Sequence, residues 1–172
     1  MQIPETIDRS LLQTYLADHL TGATGGRNRI RNMAERYADS DVGPDLARVA
    51  EEITEEHEHL SDLIDRLGLA QPLPKKALAA LAELAGRLKA NGRILTGSPM
   101  TPLLEIELMR SAVNGKQGLW ETLAVYAKEL GLDAAFYRRL AKRAGQQSRT
   151  LESLHAMVRE DGLRPGEDKR SS

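Results

Sequence analysis

Four long stretches of this chain carry apolar side chains at the three- and four-residue spacing of an amphipathic helix. No stretch shows the sustained alternation of apolar and polar residues, rich in Val, Ile and Thr, that marks a half-buried strand. Aromatic residues make up only 3% of the chain, and Ala and Leu recur between charged residues, a composition that favours helix over strand. The sequence therefore predicts an all-α protein.

Gly, Pro and capping residues divide this pattern into four long helices. Gly68 and Gly131 are placed to end the second and third helices, because glycine adopts the left-handed conformation that follows a helix end at little cost. Thr101 and Asp133 are placed to cap the third and fourth helices through their side-chain oxygens. The predicted ranges are about 6–39, 44–67, 101–130 and 133–162.

The connections between these helices predict how they are arranged. Short turns near residues 41 and 131 predict two antiparallel hairpins, and an additional short amphipathic helix over 78–88 lies in the longer connection between them. One long crossover between two hairpins is the connection of a ferritin-like four-helix bundle. We therefore predict a single ferritin-like domain over residues 1–163 and a disordered tail over residues 164–172.

Composition excludes several classes of function. The 24 Lys and Arg residues nearly balance the 25 Asp and Glu residues, so no strong overall charge attracts nucleic acid or anionic lipid. The absence of cysteine excludes disulfides and thiolate ligands, so any metal must be held by nitrogen and oxygen. No run approaches the roughly 18 apolar residues of a membrane span, and no leader pattern is visible. We expect a cytoplasmic protein without nucleic-acid or membrane partners.

Two copies of a Glu-x-x-His motif suggest a metal site. Glu56 with His59 and Glu152 with His155 each place a carboxylate and an imidazole on one helix face, as bundles that bind two iron or manganese ions do. Such bundles add one carboxylate from each of the other two helices, and Glu105 is the candidate on the third helix. On the first helix the candidates are Asp18 and His19.

A purely structural interpretation of the same positions is also open. Asp18, His19, Glu105 and Lys116 are predicted to form a buried polar network that specifies helix register without chemistry, in which Glu105 pairs with Lys116 or with an Arg or His from another helix. The Glu-x-x-His motif of the second helix lies in a glutamate-rich segment, where local composition alone produces it. His57, in that segment, is expected to be solvated. The basic residues of the fourth helix, which include Arg143, are expected to be solvated or to pair with the acidic second helix.

The glycines between Gly22 and Gly26 interrupt the first helix pattern with residues that are poor helix formers. Close approach of a neighbouring helix, or a kink, is the expected explanation. A phosphate-binding loop is set aside because no strand precedes the segment and no Lys-Ser/Thr follows it. A third hypothesis is that the glycines leave a pocket for a small molecule.

Several short motifs resemble those of a family of small, uncharacterised bacterial proteins with a ferritin-like helical bundle. The resemblance runs from about residue 11 to residue 158 and rests on the segments 15–20, 86–89, 92–93, 98–99, 103–107, 115–116 and 119–120. It implies the ferritin-like fold and no particular activity. The family signature includes Asp18-His19, Glu105, Glu107 and Lys116 but neither Glu-x-x-His pair, so it favours the polar network over the metal site.

The sequence identifies no catalytic residue and predicts a non-catalytic helical protein with a buried polar network. We expect a homodimer, with Trp120 on a second apolar face of the third helix as the anchor of the self-association surface. The alternative function is a di-iron or di-manganese carboxylate protein that handles oxygen or peroxide. The carboxylates would bridge the metals and the histidines would complete each coordination sphere.

Overall fold

The computed structural model describes residues 2–69 and 98–164, which form four α-helices and no strand. Helix α1 spans Arg9–Arg36, α2 spans Gly43–Arg66, α3 spans Met100–Tyr126 and α4 spans Ala134–Val158. The prediction of an all-α, four-helix protein is confirmed. The predicted short helix over 78–88 and the tail residues 165–172 lie outside the described residues.

Local chemistry explains where the helices start. The Asp8 carboxylate accepts hydrogen bonds from the backbone N–H groups of Ser10 and Leu11, and caps α1. Asp133 caps α4 in the same way, as predicted, by accepting from the backbone N–H of Ala135. The predicted cap at Thr101 is wrong, because α3 starts one residue earlier and Thr101 is a buried residue of its first turn.

Gly68 follows the end of α2 as predicted, whereas α3 ends at Tyr126, four residues before its predicted end at 130 and ahead of Gly131. Gly68 and Gly131 have φ values of 62° and 65°, in the left-handed region that costs residues with a Cβ more. After Gly68, the backbone N–H of Leu69 donates to the carbonyl of Ile64 at 3.1 Å, which satisfies an otherwise unpaired helix-end carbonyl. Gly131 lies in the short turn that joins α3 to α4.

The helices pack as two hairpins, α1 with α2 and α3 with α4, and the hairpins meet through α1 with α3 and α2 with α4. Helices α1 and α3 are antiparallel. Tyr15 near the start of α1 bonds to Thr122 near the end of α3, and Arg36 at the end of α1 bonds to Glu105 near the start of α3. The polar contacts between α2 and α4 run in opposite order too. Every helix is thus antiparallel to both neighbours, and α2 ends at the opposite end of the bundle from the start of α3.

The interior of the bundle is aliphatic, with Trp120 and Tyr137 as the largest fully buried side chains. Each fully buried Leu or Ile side chain contributes about 1.5–3 kcal/mol through the hydrophobic effect. Trp120 is only 1% exposed within a single chain, so its predicted role as a dimer anchor is wrong. The homodimer itself stays a prediction. None of the helices in the described ranges is long and apolar enough to cross a membrane.

Candidate functional site

A cavity of about 300 Å³ lies among α1, α2 and α3 near the middle of the bundle. This volume is at the small end of the range for ligand pockets, which are typically lined by apolar side chains with a few polar groups. The cavity matches that description. Its apolar wall comes from Ala23, Ile53, Leu60, Met109, Ala112, Val113 and Leu119, and its polar groups come from Asp18, His19, Glu56, His57, Lys116 and Trp120.

Three glycines complete the wall: Gly22 and Gly26 on α1, and Gly115 on α3. A Cβ atom added at any of them would meet no other heavy atom within 4 Å. The predicted close approach of a neighbouring helix is therefore wrong for Gly22 and Gly26, and α1 continues through both as a helix. Each helical glycine costs up to about 1 kcal/mol relative to alanine, and the space left by its missing side chain adjoins the cavity.

Glu56 is the most deeply buried charge beside the cavity, with 1% of its side chain exposed. Its Oε1 accepts from Arg143 Nε at 2.6 Å and from Gln147 Nε2 at 3.1 Å. Its Oε2 contacts the ammonium group of Lys116. Two cations and an amide, from α3 and α4, therefore surround a carboxylate of α2, which is how a buried charge is made tolerable.

Gln147 connects these groups from a fully buried position on α4. Its Oε1 accepts from Lys116 Nζ at 2.6 Å, and its Nε2 also donates to Glu52 Oε2 at 2.8 Å. Only this orientation of the amide satisfies an ammonium on one side and carboxylates on the other. Burial lowers the pKa of Lys116, and the neighbouring Glu56 opposes that shift. We call Glu52, Glu55, Glu56, Lys116, Arg143 and Gln147 the Glu56 cluster.

His57 is held between two groups of α1 rather than solvated as expected. Its Nε2 lies 2.9 Å from Thr24 Oγ1, and its Nδ1 lies 3.2 Å from Arg27 Nη1. The Thr24 hydroxyl donates to the carbonyl of Leu20, so it accepts from His57 Nε2–H, and Nδ1 accepts from Arg27. Burial first and Arg27 second lower the pKa of His57, consistent with this neutral tautomer.

The remaining polar positions of the cavity lie on the first half of α1. His19 is partly buried, and its ring contacts the Tyr15 ring edge-on at a centroid distance of 4.6 Å. Burial lowers the pKa of His19, with a smaller opposing effect from Asp18. Asp18 is exposed, so it brings a solvated negative charge to the edge of the cavity.

Trp120 lines the cavity with one unsatisfied polar atom. The indole Nε1–H is buried and has no hydrogen-bond partner among the described residues. Most buried donors in native proteins are paired, so an unpaired one calls for a specific explanation.

The predicted metal ligands are not brought together as one set: Asp18, His19 and Glu56 line the same cavity, but His59, Glu105, Glu152 and His155 lie elsewhere. Glu56 is bound by cations, and His59 contacts Tyr137 and Phe136 instead. Glu152 is exposed and lies 3.7 Å from Arg110, while His155 Nε2 lies 3.0 Å from Glu107 Oε1. In the described ranges, no group of three His, Asp or Glu residues is arranged to hold a metal ion.

The contact between α2 and α4 explains this separation. Glu56 lies opposite Arg143, and residue 152 follows residue 143 by nine positions on α4. At about 1.5 Å of rise per residue, Glu56 and Glu152 are about 14 Å apart along the bundle, and the two histidines are further apart because α2 and α4 are antiparallel. Their similar positions within each hairpin do not make them level with each other.

The predicted network of Asp18, His19, Glu105 and Lys116 is divided between two places. Asp18, His19 and Lys116 do line one cavity, but Asp18 is exposed and Lys116 pairs with Glu56 rather than Glu105. The expected pairing of basic α4 with acidic α2 is confirmed at Arg143.

Glu105 forms a separate group near the end of the bundle where α1 ends and α3 begins. Its carboxylate accepts from Arg29 Nη1 at 3.2 Å, from Arg36 Nη1 at 3.1 Å and from the Tyr37 hydroxyl at 3.0 Å. Burial, reinforced by the Glu105 charge, raises the pKa of Tyr37 to about 12. We call Arg29, Arg36, Tyr37 and Glu105 the Glu105 cluster.

Gln147 is the site residue that the sequence analysis missed. It follows Ala144 by three residues and precedes Leu151 by four, which is the spacing of the buried face of α4. The sequence signal that could have revealed Gln147 is a long polar side chain at a position where the apolar pattern of α4 predicts a buried apolar residue.

Comparisons of this chain with protein-family models, with curated proteins and with solved structures found no match. The functional argument therefore rests on the geometry of the cavity and its surroundings.

Proposed function

We propose that this chain is a non-catalytic, ferritin-like helical protein that binds a small, mostly apolar molecule in the cavity among α1, α2 and α3. The observation that carries the proposal is the cavity wall formed by Gly22, Gly26 and Gly115, where no neighbouring atom requires a glycine. What these three glycines share is their place along the cavity, since Gly118 is equally free of neighbours but does not line it.

The ferritin-like part of the proposal is supported by the helix directions. All neighbouring helices are antiparallel, and the chain must pass from one end of the bundle to the other between Leu69 and Ser98. A single long crossover between two hairpins is the connection that defines this class of bundle.

The state of the polar groups supports binding rather than catalysis. Both oxygens of Glu56 are engaged by cations or an amide, and both ring nitrogens of His57 have partners. A general base or nucleophile must be within reach of a substrate and have a free lone pair. The mainly aliphatic wall instead suits a ligand that gains affinity from burial of apolar surface.

The test uses 2-isopropylnaphthalene, a neutral hydrocarbon, as the probe. Trp120 is the only tryptophan and lines the cavity, so its fluorescence reports occupancy directly. We expect saturable quenching at one probe per chain, and an increase in melting temperature because the ligand binds only the folded state. A linear, non-saturating response would contradict the proposal.

Two glycine substitutions make the test specific. Gly26→Leu places a side chain in the cavity and should weaken probe binding at least about tenfold. Gly118→Leu is the matched control, because Gly118 is also helical and free of neighbours but does not line the cavity. It should change affinity by less than about twofold. Equal effects of the two substitutions would place the probe elsewhere.

A further inference from the structure

The charges around the cavity point to the chemical class of its ligand, given the proposed function. We propose that the natural ligand is a small amphiphilic amine, whose apolar part lies in the cavity and whose protonated amino group lies beside the Asp18 carboxylate at the cavity mouth. The inference rests on the proposed function and specifies the ligand of the same site.

The cavity opens to solvent between α1 and α3. Gly22 on α1 and Gly115 on α3 both line the cavity and are exposed. Gly22 follows Tyr15 by seven residues, and Gly115 precedes the Tyr15 partner Thr122 by seven. Because these helices are antiparallel, the two glycines lie at the same level of the bundle. Neither has a side chain and neither would meet a neighbour with one, so a ligand can extend through this gap to solvent.

Asp18 is the charged residue at this mouth. It precedes Gly22 by four residues, which places both on one face of α1. Asp18 lines the cavity and is also exposed. The carboxylate makes up most of an aspartate side chain, so the exposure of the residue leaves the carboxylate open to a ligand group at the mouth.

The protein itself provides no counter-charge for Asp18. Within residues 2–69 and 98–164, Asp18 takes part in no salt bridge or hydrogen bond. Lys116, the one Lys or Arg in the described cavity wall, is held by Glu56. Arg27 bonds to His57 and lies nine residues along α1 from Asp18, about 14 Å in helix rise. A ligand cation would therefore meet a carboxylate that has no other partner, whereas a ligand anion would meet only repulsion there.

The two histidines of the cavity wall do not change this balance. Burial lowers the pKa of His19 against a smaller effect of Asp18, and burial together with Arg27 lowers the pKa of His57. Both rings are therefore neutral at neutral pH. The wall keeps one uncompensated negative charge, and that charge lies at the mouth, where an amino group can keep part of its hydration.

Three probes that share one naphthalene ring test the charge of the ligand. At neutral pH 1-(2-naphthyl)ethylamine is a cation, 1-(2-naphthyl)ethanol is uncharged and 2-naphthoate is an anion. Isothermal titration calorimetry measures each affinity at low and at high salt. We expect the amine to bind more tightly than the anion, and added salt to weaken binding of the amine and strengthen binding of the anion, because salt screens the Asp18 charge.

Asp18→Asn removes the charge and keeps the shape of the side chain. We expect it to weaken amine binding about threefold, as for an ion pair at a partly exposed site, and to change the affinity for the alcohol by less than about 1.5-fold. Asp62→Asn is the matched control, because Asp62 is also an exposed helical aspartate but does not line the cavity. It should leave all three affinities unchanged. Circular dichroism confirms that both variants are folded.

The outcomes separate this inference from the proposed function. Tighter binding of the anion than of the amine, an amine affinity that Asp18→Asn leaves unchanged, or equal losses in Asp18→Asn and Asp62→Asn would overturn the amine proposal and leave the cavity function intact. Failure of the amine to bind where 2-isopropylnaphthalene binds would do the same. If neither the hydrocarbon nor any of the three probes binds, both proposals are wrong.

Discussion

The Glu56 and Glu105 clusters place a similar carboxylate in two different environments. Glu56 is 1% exposed and is held by Lys116 and Arg143 from two other helices in mid-bundle. Glu105 is 9% exposed, and one of its partners, Arg36, is 53% exposed near the end of the bundle. The comparison teaches that the access of water to the partners, rather than the number of ion pairs, decides how much a carboxylate matters to the fold.

Replacing each carboxylate by its amide gives the largest difference between the clusters. Glu56→Gln leaves the mostly buried Lys116 ammonium without its contacting carboxylate, while Arg143 keeps Glu55, and we expect a loss of about 3 kcal/mol in the free energy of unfolding. Glu105→Gln leaves arginines that water can solvate, so we expect a loss of about 1 kcal/mol. Urea denaturation measures both. Losses of the same size would show that burial does not distinguish the clusters.

Double-mutant cycles sharpen the comparison at the level of one pair. Combining Glu56→Gln with Lys116→Met should give a coupling energy of about 2 kcal/mol, because the two groups meet away from water. The matched cycle of Glu105→Gln with Arg36→Met should give less than about 1 kcal/mol, as exposed ion pairs do. The comparison breaks if the Arg36 cycle gives the larger coupling.

A smaller effect at alkaline pH is expected from the Glu105 cluster. The pKa of Tyr37 is about 12 in the folded protein, against 10.0 for an ordinary tyrosine. Between pH 10 and pH 12 the unfolded chain loses a proton that the folded chain keeps. The contribution of Tyr37 to the free energy of unfolding is therefore fully present below pH 10 and is lost as pH rises. Because Tyr37 is partly exposed, we expect a loss below about 1 kcal/mol.

Denaturation at pH 9 and pH 11 tests this prediction. Tyr37→Phe should lose less stability over that interval than the wild-type protein. An unchanged alkaline loss in Tyr37→Phe would assign the effect to another tyrosine.

The sequence predicted the all-α class, the end of α2 before Gly68 and the pairing of the helices into two hairpins, but it placed the ends of α1, α3 and α4 three to four residues too late. Glu107 with His155 and Arg110 with Glu152 are contacts between residues equally far from Gly131, as expected when a short turn fixes the pairing. A turn of known position leaves little freedom to the two helices it joins. Residues equally far from the turn on either side are therefore expected to face each other.

Two features of the site could not be predicted by counting residues from a turn. The level of one hairpin against the other depends on the long crossover, whose length does not fix a position, so Glu56 could not be placed opposite Arg143 in advance. The direction of a side chain also changes by about 100° per residue, which turns Glu152 to solvent while Leu151 is buried. The glycines of α1 were visible in the sequence, but what they face depends on packing.

The position of Glu56 has a consequence for how the hairpins find each other during folding. Apolar stripes repeat with each helical turn, so sliding one hairpin by about 5.4 Å would still bury similar aliphatic surface. The same slide would carry Glu56 away from Lys116 and Arg143 and leave charges buried without partners. Among nearly equivalent packings, the ionic contacts therefore select the single alignment in which the cavity has its walls.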